Sequence, residues 1–131
     1  MSFPEAFLDL LSEDSKAMLF LATTLSDGSP QLTPVWFDTE GEYILVNTNE
    51  GRSKDRNMKV RPKVAAVIQD PQNPYRYLGM RGEVVSHTTE GADEHINKLN
   101  LKYHGRPWNY RPGQRRIIYK IRPTHFDEHP D

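Results

Sequence analysis

The chain contains no cysteine, which excludes disulfide frameworks, thiolate zinc sites, iron–sulfur clusters and cysteine nucleophiles. Its longest apolar run, Ala17 to Ala22, falls far short of the roughly 20 residues a transmembrane helix needs. The stretch from Met1 to Leu11 lacks the positive n-region and the small-residue cleavage site of a signal peptide, so a cytoplasmic protein is expected. There is no Gly-x-Ser-x-Gly elbow, no Walker loop and no Gly-x-Gly-x-x-Gly fingerprint. Charge of one sign is also missing. Lys plus Arg number 17 against 18 for Asp plus Glu, a net charge of −1, so neither nucleic acid nor an anionic membrane is an expected partner.

What is present suits one domain spanning residues 1–131. A chain of this length buries roughly two-thirds of its unfolded surface and needs no covalent staples. Hydrophobic residues at 36% and aromatics at 10% supply a core despite a mean hydropathy of −0.76.

Ser2-Phe3-Pro4-Glu5 has the Ser-x-x-Glu spacing of a capping box, and Phe7, Leu8 and Leu11 share one face of a short helix ending near Glu13. Strands are predicted over Ala17–Leu25, Gln31–Asp38, Tyr43–Val46, Val64–Ile68, Tyr75–His87 and Gln114–Ile121. Asp27-Gly28 turns the chain between the first two, and Asp70 to Pro74 reads as a loop. Gly79 and Gly82 are candidate bulge positions. Helices are predicted over Arg52–Val60, stopped by Pro62, and from Ala92 through Ile96, Leu99 and Tyr103 to Gly105. Six antiparallel strands with short flanking helices predict a mainly β barrel rather than a doubly wound sheet.

Three segments carry candidate chemistry. In Asn47 to Asn57 a strand runs into small polar residues and opens a helix. Thr48 and Ser53 supply hydroxyls there, and Arg52 and Lys54 supply charge, which suits a phosphate. From Arg52 to Lys63 there are six cations and one acid, Asp55. The plainer reading is a solvated basic helix with an Asp55–Lys59 pair. The segment from Gly105 to Arg116 interleaves Arg106, Trp108, Tyr110, Arg111, Arg115 and Arg116. It suits a planar-cofactor pocket or a subunit interface, and less well single-stranded nucleic acid, which overall acidity disfavours. His125 to His129 matches the H-x-x-E-H string of a zinc-peptidase class, but Pro123 and Pro130 leave too little room for the helix that chemistry needs. No metal site is assigned. His87, His95 and His104 show no ligand spacing, and His95 reads as an ordinary surface residue near a helix face.

The order of segments resembles the split β-barrel flavin and deazaflavin oxidoreductases related to pyridoxamine 5′-phosphate oxidase, and above all their coenzyme F420-dependent branch. Four stretches carry the likeness. They are Phe20 to Thr23 with Asp27 to Trp36, Arg52 to Asn57, Asp70 to Tyr77 with Arg81 to Val84, and Gly91 to Ile96 with Lys102-Tyr103. Gly79-Met80 departs from the family pattern, where a bulkier or charged residue is expected.

The resemblance implies a six-stranded split barrel forming a homodimer, with cofactor sites in grooves between protomers. It places Gln31, Thr33, Pro34, Val35 and Trp36 along the tricyclic ring and Thr48, Arg52, Ser53 and Lys54 at the phosphate. Asn57 braces that helix, and Trp108 lies over the ring or at the pocket mouth. The function implied is hydride transfer from reduced F420 to an unsaturated small molecule, with no catalytic side chain assigned. FMN is the alternative cofactor. The acidic tail of F420 favours it where Arg56, Lys59, Arg106 and Arg111 are available. A non-catalytic flavin carrier and a heme or tetrapyrrole binder remain the other classes.

Overall fold

The computed structural model describes residues 1–131 and contains a 3-10 helix, two α-helices and seven strands. The 3-10 helix spans Glu5–Leu11. The strands are β1 (Leu19–Thr24), β2 (Pro30–Val35), β3 (Asp38–Glu40), β4 (Tyr43–Asn49), β5 (Lys63–Asp70), β6 (Asn73–Thr88) and β7 (Arg116–His129). Helix α1 covers Ser53–Val60 and α2 covers Ala92–His104. All pairings are antiparallel in the order β2-β1-β5-β6-β7-β4-β3.

Laid flat, such a sheet would be about 29 Å wide at the usual strand spacing. Its two edge strands are nevertheless consecutive in sequence, joined only by Trp36 and Phe37. A link of that length reaches no more than about 11 Å. The sheet must therefore curl into a barrel that is split between β2 and β3.

That corner corrects the expected strand count from six to seven. The predicted strand Gln31–Asp38 breaks where Phe37 turns into the core, fully buried. Its first part pairs with β1 and its last residue joins β3 against β4. β2 tolerates Pro30 and Pro34 because an edge strand leaves one side of its backbone unpaired.

β7 also outruns its predicted end at Ile121. Its pairing with β4 stops at the Ile44–Ile121 match, so Pro123 meets only β6. It does so beside a register shift at Arg81/Gly82, where a missing N–H costs little. Gly82 thus faces a bulge, whose extra residue is Thr124 of β7, whereas Gly79 pairs regularly with Asp127. The expected loop from Asp70 to Pro74 shrinks to a tight turn, with Asp70 Oδ1 accepting from the Gln72 N–H at 2.8 Å.

Alternation fills the barrel: Leu19 and Leu21, Val64, Ala66 and Ile68, and Ile117, Tyr119 and Ile121 all point inward. Met58 of α1 and Phe7 and Leu10 of the 3-10 helix join this cluster. They enter from opposite ends. Asn57 and Arg61 hold α1 to Thr23 and Thr24, while Arg76 ties the 3-10 helix through Asp9 and the Ala6 carbonyl. No capping box forms, because Ser2 donates instead to Glu42 at 2.9 Å and Pro4 precedes the first turn. α2 ends as predicted at Gly105, whose positive φ closes the last turn. No helix is long and apolar enough to cross a membrane.

Candidate functional site

The β2–β3 corner, the end of β4, the start of α1 and one face of α2 converge on a groove of about 220 Å³. Pro34, Val35, Trp36, Thr48, Arg52, Lys54 and Trp108 all line it. Thus seven of the ten residues singled out in the sequence, spread over more than 70 positions, come together. Gln31, Thr33 and Ser53 do not line it. Gln31 accepts from Thr23 at 3.3 Å and Asn57 at 3.5 Å, beside the underside of α1. Ser53 opens α1 and lies 3.5 Å from the Arg56 guanidinium.

One end of the groove is built to attract an anion. Thr48 is almost fully buried, yet its Oγ1 has no hydrogen-bond partner. Around it stand Arg52, Lys54 and Arg116, with no carboxylate in the lining. Burial, then the charges of Arg52 and Arg116, hold the Lys54 ammonium below its usual range. Burial and Arg52 likewise press Arg116 down to about 10. Both shifts report uncompensated positive charge in a partly dehydrated place.

The start of α1, which carries Arg52 and Lys54, is held from below. Asp55 accepts from the Gly51 N–H at 2.8 Å and from the buried Tyr119 hydroxyl at 2.5 Å. Lys59 approaches Asp55 at 3.5 Å, so the pair read from the sequence forms as well. Asn57 braces α1 by donating to Thr23 Oγ1 at 3.0 Å.

The other end is aromatic. Trp36 stacks on Tyr103, with centroids 5.3 Å apart and planes 6° apart. Trp108 meets Trp36 edge-on at 6.4 Å and carries the Arg116 guanidinium over its ring at 5.2 Å. Its backbone N–H donates to Asn97 at 2.9 Å, which pins the loop after α2 across the groove mouth. A flat apolar surface thus adjoins a cationic pocket.

Met18, Asn47, Ile96, Leu99 and Arg116 also line the groove and were not among the residues expected there. Arg116 had one signal, its place at the end of the basic–aromatic segment; the alternation that turns Ile117 into the core puts Arg116 on the other face of β7, where it lines the groove. His95 is corrected from surface to interior, since it is 9% exposed and wedged between Asn47 and Asp38. His125 to His129 lies in β7, a strand and not a helix, with His129 stacked on Tyr77 at 4.2 Å.

Of the cations suited to an acidic tail, Arg56 is engaged with the Gly51 carbonyl and Lys59 with Glu50 and Asp55. Arg106 and Arg111 are exposed on the loop around Trp108 and form no ion pair. A larger cavity of about 600 Å³ opens on the outer barrel face near Lys63, Arg81 and His125. Glu83 lies with Lys63 and Arg81 in its lining, and no buried unpartnered polar atom faces it. The smaller groove is the better built site.

The barrel and its groove have relatives. A solved structure entitled "F420 Reductase" shares 36% identity over 95% of this chain and 98% of its own, with a TM-score of 0.83. General Stress Protein 26 from Bacillus anthracis shares the fold at 20% identity, covering 97% of this chain and 94% of its own, with a TM-score of 0.69. The heme storage protein HutZ from Vibrio cholerae does so at 14% identity, with coverages of 98% and 95% and a TM-score of 0.67. Among curated proteins no relative matches. The family model described as pyridoxamine 5′-phosphate oxidase matches residues 3–129, nearly the whole length over which the split barrel and its cationic groove are built. On that match the chain belongs to the pyridoxamine 5′-phosphate oxidase family.

Proposed function

We propose that this protein is an oxidoreductase that binds coenzyme F420 in the groove and passes a hydride to an unsaturated small molecule. The observation that carries the reading is Thr48 Oγ1, a buried hydroxyl without a partner among three cations. A phosphate oxygen there would satisfy the hydroxyl and neutralise the charge together. The 36% identity to the F420 reductase, and the free Arg106 and Arg111 for an acidic tail, support F420. FMN is the second reading, supported by the family match.

The residues present fit such a group. Thr48, Arg52, Lys54 and Arg116 would hold the phosphate, and Pro34 to Trp36 with Trp108 would flank the ring. The deazaflavin, when bound, supplies the hydride. The chain binds and orients, and its aromatic wall excludes water from one side of the groove. None of the residues that line the groove of one chain is Asp, Glu or His, and no proton donor is assigned.

A homodimer belongs to the same proposal. Pockets that bury a ligand of this size hold roughly 300–1,000 Å³, more than the groove of one chain offers. The outward face of β2, β1 and β5 presents Leu32, Phe20, Ala65 and Val67 next to it, with Leu32 66% exposed. A second copy seated there would cover this apolar face and complete the groove.

Titration of the purified protein with F420 and with FMN, followed by ligand fluorescence, tests the reading. F420 is expected to bind at least tenfold more tightly than FMN. The reverse order would make it an FMN protein. Failure of both below about 100 μM would overturn the cofactor assignment. F420 binding without turnover of enones, quinones or tetrapyrroles would make it a carrier.

A further inference from the structure

From Arg116 a buried polar chain leads away from the groove, through residues that the reading above leaves without a role. Arg116 donates through Nε to Asn47 Oδ1 at 2.8 Å and through Nη1 to Asn49 Oδ1 at 3.0 Å. Asn47 Nδ2 donates to the Ala92 carbonyl at 2.9 Å and lies 3.1 Å from His95 Nδ1. His95 Nε2 stands 3.6 Å from Asp38 Oδ2, which accepts from Lys98 at 3.0 Å. Arg116, Asn47, His95 and Asp38 come from β7, β4, α2 and β3, and each is at most 9% exposed.

The groups without a choice set the direction of the chain. A guanidinium only donates and a peptide carbonyl only accepts. Asn47 must therefore turn Oδ1 to Arg116 and Nδ2 to Ala92. His95 Nδ1 is then an acceptor, and the ring proton sits on Nε2, towards Asp38. Arg116 Nη2 makes no hydrogen bond within the chain, and the side chain lines the groove. Repulsion from Arg52 would push this guanidinium aside if its two amide anchors could swing.

We propose that His95 is a positioning residue for the anion site. Its unprotonated Nδ1 locks the Asn47 amide, and through it the Arg116 guanidinium, in the orientation that leaves Nη2 for a phosphate. His95 itself touches no ligand. An apolar residue of similar shape would leave an amide N–H of Asn47 unpaired and free the amide to rotate. The proposal rests on the reading that the groove holds a phosphate.

Two variants of the full chain separate the halves of the ring. His95→Asn keeps an acceptor where Nδ1 lies and drops the contact with Asp38. His95→Gln keeps the reach to Asp38 and drops that acceptor. The readout is the phosphate increment: the ratio of dissociation constants for riboflavin and FMN, which differ only in the phosphate. His95→Gln is expected to lower the increment about tenfold, and His95→Asn to leave it within about twofold of the wild type. Equal increments in the two variants, whether kept or lost, would overturn the role of His95. If His95→Gln does not fold, Asn47→Leu removes the same lock, and an unchanged increment there overturns the proposal too. A wild-type chain with no increment would instead remove the phosphate reading itself.

Discussion

The Tyr119 hydroxyl, deep in the barrel, donates to the Asp55 carboxylate at 2.5 Å and so ties β7 to the first turn of α1, beside Arg52 and Lys54. Burial alone would raise the Asp55 carboxyl. Hydrogen bonds from Tyr119 and the Gly51 N–H, with the charge of Lys59, overcome that and hold it below the ordinary 3.8. Asp38 behaves alike: burial opposes, and His95, Lys98 and the Thr39 N–H win.

Both carboxyls bind protons less readily folded than unfolded. Their stabilisation is complete above the ordinary carboxylate value and is lost as the pH falls through the lower folded values. The contribution of these two carboxyls to the denaturation midpoint is therefore expected to stay level from about pH 7 to 5 and to fall away below about 4. Tyr119→Phe should cost about 1–3 kcal/mol at pH 7, with a shallower acid fall. A wild-type midpoint for that variant would contradict the role given to the pair.

Thr48→Val keeps the shape of the side chain and removes the unpartnered hydroxyl. Without ligand it should be as stable as the wild type or more so, while FMN or F420 binds several-fold more weakly. Lys54→Met goes further in both directions. The folded chain disfavours the Lys54 charge, so its removal should raise Tm, while phosphate-bearing ligands lose on the order of tenfold or more in affinity. Calorimetry with and without ligand reads both effects, and a lower Tm for Lys54→Met would refute the strained-cation account.

Gly82→Ala should be harsh. A Cβ at this bulge would sit 2.7 Å from the Arg122 carbonyl oxygen, which belongs to the facing strand and cannot swing away. A loss of roughly 1–3 kcal/mol is expected. Gly79→Ala, whose Cβ would meet that of Asp127 at 3.3 Å, should cost less. Urea unfolding of the two variants ranks them, and the reverse ranking would place the tight contact elsewhere.

The chain has only two tryptophans, and both line the groove. Binding of a flavin or deazaflavin should quench most of the intrinsic fluorescence. In Trp108→Phe the remaining signal reports Trp36 alone and should still be quenched. Emission that stays unchanged while ligand binds would put the ring outside this groove.

Leu32→Glu places a charge on the apolar face of β2, β1 and β5. Sedimentation should show the wild type as a dimer and the variant shifted to monomer, with weaker cofactor binding in the monomer. A wild-type monomer that binds cofactor fully would remove the shared groove.

The local patterns in the sequence were enough for most elements and for the cationic turn. The alternation in Val64 to Ile68 and Ile117 to Ile121, the turn at Gly28 and the stop at Gly105 depend on neighbours a few residues away. Thr48, Arg52 and Lys54 fall within one strand-to-helix passage, so their convergence was also legible. Tertiary structure decided what depends on pairing. Asn49 meets Arg116 because β4 lies beside β7, and nothing within either strand states that register. The break at Trp36 arises because the closing barrel sends the two halves of one apolar stretch to opposite edges of the sheet. His95 is interior because α2 lays that turn over Asn47. Local periodicity records which face of a segment is apolar, while the partner covering that face is chosen only when distant segments pack together.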